Sequence, residues 1–175
     1  MQYFKIILAL AAAASAIDIR FHNGGDCNGG WIGCASIGPD NCCTSEAVHH
    51  PSVGFYAIPK NWKIGTRGFT NGGCSTLRAS GDVFGVDTSC LRAGGNIFTG
   101  ATYYFRNRKV AEATCETGQT CKSPQKPDLL GLEDGQKYQI ADMEDHLLDV
   151  LIDFAFNGTT AADIPAVYEK FEIKE

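Results

Sequence analysis

The sequence predicts a mainly β protein: a disulfide-stapled β-sandwich or Greek-key barrel that carries a C-terminal helical segment. Three observations predict it. Short apolar-polar alternations recur between Gly, Asn, Pro and Ser clusters at intervals of about ten residues, the rhythm of sandwich strands. All eight cysteines fall between Cys27 and Cys121. After Pro127 the period changes from two to 3.6, and cysteine disappears.

The first sixteen residues read as a secretory signal. Lys5 gives a positive n-region, Ile6 to Ala14 is an unbroken apolar run, and Ala14-Ser15-Ala16 supplies the small residues that signal peptidase reads. A spanning helix needs roughly 20 apolar residues, about twice this run. No other stretch is apolar enough to span, and the charged end Phe171-Glu172-Ile173-Lys174-Glu175 is unlike a lipid-anchor signal. The expected location is therefore extracellular, with residues 1–16 as signal peptide, 17–126 as a cysteine-rich β domain and 127–175 as an acidic helical segment packed on that core.

Ile17 to His22 alternates perfectly and is the first strand. Asn23-Gly24-Gly25 and Asn28-Gly29-Gly30 are turn signals before a second strand over Trp31 to Ile37. Gly38-Pro39-Asp40-Asn41 turns into the Cys42-Cys43 pair. Ser52 to Ile58, Gly65 to Thr70, Asp82 to Val86 and Thr99 to Asn107 are further strands. The last places Ala101, Tyr103 and Phe105 on one face and Thr102, Tyr104 and Arg106 on the other. Arg108 to Thr114 can pair back onto it.

In the tail, Asp142 to Phe156 reads as a helix. Met143, Leu147, Leu148, Leu151, Phe154 and Ala155 make one apolar arc, opposite Asp142, Asp145, His146, Asp149 and Asp153. Asn157-Gly158 stops it, and a short helix is expected over Pro165 to Phe171 with Asp163 as N-cap. Residues 17–126 carry a charge balance of +3 and residues 127–175 one of −9.

In an oxidising compartment an even cysteine count implies bridges, so Cys27, Cys34, Cys42, Cys43, Cys74, Cys90, Cys115 and Cys121 are expected in four disulfides. Two pairs suggest themselves locally: Cys115 with Cys121 across a short polar loop, and Cys74 with Cys90 around a hairpin-like stretch. Cys42 and Cys43 are adjacent, so their side chains should reach different partners. Paired C-x2-C knuckles and completing His spacings are absent, so no metal and no cofactor is expected. Asn157-Gly158-Thr159 is a glycosylation sequon at an exposed helix end.

Net charge is −5, which excludes an overall field for gathering nucleic acid. Neither G-x-S-x-G nor H-E-x-x-H occurs. His22 reads as a surface strand residue and His49-His50 as a solvated loop. A small hydrolase would need Glu46, His49, His50 and Arg78 to converge, and nothing local arranges them. The aspartate row on the helix reads as a solvated face, since calcium wants ligands converging from a loop. The candidate contact surface is Lys60, Trp62, Lys63 and Arg67, where cations alternate with aromatics, joined by the basic run Arg106-Asn107-Arg108-Lys109.

The signal ending Ala14-Ser15-Ala16, the run Cys27, Cys34, Cys42-Cys43 and the segments Gly72-Gly73-Cys74 and Ser89-Cys90-Leu91 resemble the small secreted cysteine-rich proteins of filamentous fungi, the group that includes candidate effectors. The strand rhythm is also similar to the βγ-crystallin-type killer toxins. Hydrophobins share the count of eight cysteines but carry two Cys-Cys doublets, and this chain has one. The resemblance implies a secreted, non-enzymatic interaction protein, an effector or virulence-associated factor that meets a host or competitor protein or glycan. An antimicrobial or killer-type toxin and a small secreted hydrolase are the alternatives.

Overall fold

The computed structural model describes residues 16–45, 48–106 and 124–174. In chain order the strands are β1 (Ile17–His22), β2 (Trp31–Ile37), β3 (Cys42–Thr44), β4 (Ser52–Tyr56), β5 (Lys63–Thr70), β6 (Thr76–Phe84), β7 (Ser89–Arg92), β8 (Gly100–Phe105), β9 (Pro124–Gln125), β10 (Leu129–Gly131), β11 (Lys137–Gln139) and β12 (Glu172–Ile173), with helix α1 (Asp145–Phe156) between the last two. They form two sheets. The first runs β12-β11-β10-β2-β1-β4-β7 and the second β6-β5-β8-β3-β9. The chain is thus mainly β, with a C-terminal helix.

The alternation in β1 decides where the core lies. Ile17, Ile19 and Phe21 are fully buried, and they meet Val53 and Phe55 of β4 on the same inner face. The second sheet contributes Ile64, Ala101 and Tyr103, closing a sandwich filled by apolar residues of both inner faces. Tyr103 keeps its hydroxyl satisfied by donating to the Ile37 carbonyl, 3.1 Å away.

The three short strands β10, β11 and β12 at the other end of the first sheet are invisible to periodicity because each spans too few residues. Leu130 of β10 and Tyr138 of β11 extend the inner face, and α1 lies against β2 and β10 with Leu151 and Ala155 fully buried. Gly30 permits this approach, since a Cβ there would overlap the Ala155 carbonyl oxygen. Residues 129–139, expected within a helical tail, therefore join the sheet by pairing Leu129–Gly131 antiparallel to β2.

Several element boundaries differ from expectation for identifiable reasons. β4 stops at Tyr56 because Ala57 adopts φ 58°, a left-handed turn. The expected strand over Asp82 to Val86 is instead the longer β6, Thr76–Phe84, pinned by its register with β5. The helix begins at Asp145, three residues later than Asp142. The last helical segment is a 3-10 turn over Ala166–Phe171, and Pro165 holds its N-cap position. Asp163 lies in the preceding turn, where it accepts a hydrogen bond from the Thr160 hydroxyl. The pairing expected of Arg108 to Thr114 lies outside the described residues.

Three disulfides hold this arrangement: Cys27–Cys90, Cys34–Cys43 and Cys42–Cys74. The expected Cys74–Cys90 pair is not formed. Cys90 sits on β7 in the first sheet and Cys74 beside β6 in the second, so each takes a partner from its own side of the sandwich. Cys34–Cys43 links β2 to β3 and so stitches the two sheets together. Cys42 and Cys43, consecutive in an extended strand, point opposite ways and reach different partners. Cys115 and Cys121 lie outside the described residues.

Candidate interaction surface

The outer face of the second sheet gathers cations and aromatic rings that are far apart in sequence. Alternation in β5 turns Ile64 and Thr66 inward and leaves Lys63, Gly65 and Arg67 on the opposite face. The ladder register sets Lys63 beside Phe84 and Gly65 beside Asp82 of β6, and sets Gly65 beside Tyr104 of β8. Gly65 matters here. A Cβ at that position would overlap the Tyr104 ring, so glycine lets the ring lie flat on the sheet.

The cations then settle over the rings. The Arg67 guanidinium lies 4.4 Å from the Tyr104 centroid, and Lys63 Nζ lies 5.0 Å from that of Phe84. Arg106, immediately after β8, donates its backbone N–H to the Lys63 carbonyl at 3.1 Å and its guanidinium to Asp82 at 2.5 Å. Lys63, Asp82, Val83, Phe84 and Arg106 line an open cleft of about 330 Å³. Phe84 is 62% exposed, which is unusual for a ring of that size and leaves one face free for a partner.

Of the four surface residues expected from sequence, Lys63 and Arg67 lie on this face. Lys60 is in the turn before β5 and pairs loosely with Asp87 at 3.8 Å. Trp62 is half-buried and packs edge-on against Phe105, 4.7 Å between centroids, so it belongs to the rim of the core. Arg106 comes from the second basic run, whereas Arg108 and Lys109 lie outside the described residues. Phe84, Asp82 and Tyr104 are additions that only strand pairing reveals. The available signal was Tyr104 sharing a strand face with Arg106. Asn157 caps α1 and is exposed.

The histidines depart from expectation. His22 is buried, covered by the Asn23–Gly30 turn, and its Nε2 lies 2.9 Å from the Tyr56 hydroxyl. His49 is exposed, but His50 is fully buried, bridged to Phe98 and bonded through Nε2 to Ser45 Oγ at 2.8 Å. Both buried rings have pKa values lowered to about 4, chiefly because burial penalises the charged form. Ser45 and His50 make a nucleophile-base pair in distance alone. Both are sealed from solvent, and the ring is packed between Phe21 and Phe156. Arg78 is on β6, and Glu46 lies outside the described residues. Among the described residues no group of three His, Cys, Asp or Glu could hold a metal ion, and the helix aspartates Asp145, Asp149 and Asp153 are exposed.

Two family models match the chain in succession. The N-terminal domain of the ARB_05566 family covers residues 18–128, and its C-terminal domain covers residues 133–175. The chain belongs to the ARB_05566 family. A relative from Arthroderma benhamiae, described as an uncharacterized secreted protein, is 29% identical over 184 residues, spanning 100% of this chain and 94% of its own length. No solved structure matches. This member of the family is a secreted, cysteine-rich, disulfide-bonded fungal protein. Among its described residues no helix is long and apolar enough to cross a membrane.

Proposed function

We propose that this family member is a non-catalytic interaction protein, a fungal effector or virulence-associated factor that acts outside the producing cell. It docks an extracellular host or competitor partner, protein or glycan, on the outer face of its second sheet. The observation that carries this reading is the pairing of Lys63 with Phe84 and of Arg67 with Tyr104 on one continuous face, beside Arg106. Cations held over rings are oriented before a partner arrives, which lowers the side-chain entropy lost on docking.

The hydrolase alternative has one geometric observation in its favour, the Ser45–His50 contact, but a nucleophile that no substrate can reach does no chemistry. The toxin alternative has no observation of its own.

The test is the double variant Lys63→Glu, Arg67→Glu. Lys63 is exposed and Arg67 partly so, and charges at the surface contribute about 0–1 kcal/mol each to stability, so the fold should survive. Retention of the secreted protein on target tissue or competitor cells should be lost. Undiminished retention with an unchanged melting temperature would sink the proposal.

A further inference from the structure

The cleft beside Phe84 has the chemistry of one ligand class. We infer that it binds the uronic-acid units of a carboxylate-bearing polysaccharide, an inference that rests on the docking face proposed above. Three features of the cleft point there. Phe84 presents an open ring, against which the apolar C–H face of a pyranose can lie flat. Lys63 and Arg106 line the same cleft, so a carboxylate projecting from a stacked sugar ring meets an ammonium and a guanidinium together. Asp82 already accepts from Arg106 at 2.5 Å, which fixes the guanidinium in place and leaves a carboxylate oxygen to accept from a sugar hydroxyl.

The rest of the face favours a polymer. Lys63 and Arg67 are four residues apart on one strand, a separation of about 13 Å at strand rise. That exceeds a single sugar ring, so the second stacked cation, Arg67 over Tyr104, meets a further acidic unit of the same chain. Lys63, Arg67 and Arg106 against Asp82 leave the face locally positive on a protein whose net charge is −5.

The test is binding of the full secreted protein to immobilised polygalacturonate, against the same polymer methyl-esterified, dextran sulfate, and phosphatidylserine vesicles. The inference expects retention on polygalacturonate and about tenfold weaker binding to the ester, in which the ring persists and the charge is gone. Phe84→Ala removes no charge and should weaken polygalacturonate binding about tenfold, with the melting temperature unchanged. Failure to bind polygalacturonate would overturn the inference, as would equal binding to the ester. Dextran sulfate or the vesicles binding as tightly, with Phe84→Ala silent, would also overturn it by reducing the face to bare charge. The Lys63→Glu, Arg67→Glu variant separates the two readings. If the variant loses retention on target surfaces while the unaltered protein fails to bind polygalacturonate, only the polyuronide assignment falls; if the variant keeps that retention, the docking face falls as well.

Discussion

Ser45 Oγ lies 2.8 Å from His50 Nε2, and neither side chain reaches solvent. The pair is a structural pin. His50 carries the backbone bridge to Phe98, its ring fills the space between Phe21 and Phe156, and the serine satisfies the nitrogen that burial would otherwise strand.

Two buried neutral histidines make stability depend on pH. His22 and His50 have folded-state pKa values of about 4 against 6.5 in the unfolded chain. Between those values the unfolded state binds more protons, so stability rises with pH, and acidification from 6.5 towards 4 removes it. Each histidine contributes up to about 3 kcal/mol across that window. Thermal melts from pH 7 to pH 4 should show a falling midpoint, and His50→Asn should flatten the slope relative to wild type. A midpoint that stays level down to pH 4 would refute the assignment.

The cysteines give a prediction by mass. With Cys27–Cys90, Cys34–Cys43 and Cys42–Cys74 formed, and Cys115–Cys121 as the expected fourth, the intact protein should weigh eight hydrogens less than its reduced form. Non-reducing peptide mapping should recover Cys27 joined to Cys90 and no Cys74–Cys90 peptide. Removing Cys27–Cys90, which closes a separation of 63 residues, should cost about 4 kcal/mol by chain entropy.

The helix tests how the tail is held. Leu151 is fully buried where α1 meets β2 and β10. Leu151→Ala should lower unfolding free energy by about 2–5 kcal/mol in denaturant titrations. An unchanged midpoint would mean that the helix is dispensable to the core. Asp149→Ala, on the exposed face of the same helix, should be near neutral.

Asn157 follows the last helical residue, exposed and followed by Gly158 and Thr159. Protein secreted from a eukaryotic host should lose one N-glycan on enzymatic deglycosylation, and Asn157→Gln should abolish that mass shift. A single unshifted mass before and after treatment would count against occupancy.

The amino-acid sequence by itself determined the secretory context of the cysteines, the mainly β class, the inward residues of β1 and β8, and the buried stripe of α1. All of these are written in composition or in periods of two and 3.6, which local residues carry unaided. It also singled out Lys63 and Arg67, because basic and aromatic residues interleave there. Only the tertiary structure decided that Trp62 turns to the core rim while Phe84 and Tyr104 join the cations, that Cys90 takes Cys27, and that His22 and His50 are buried. Each of those depends on which strands pair and in what register. Partner choice is set by the joint burial of both sheets' inner faces, a property of the assembled sandwich that no single strand's pattern encodes.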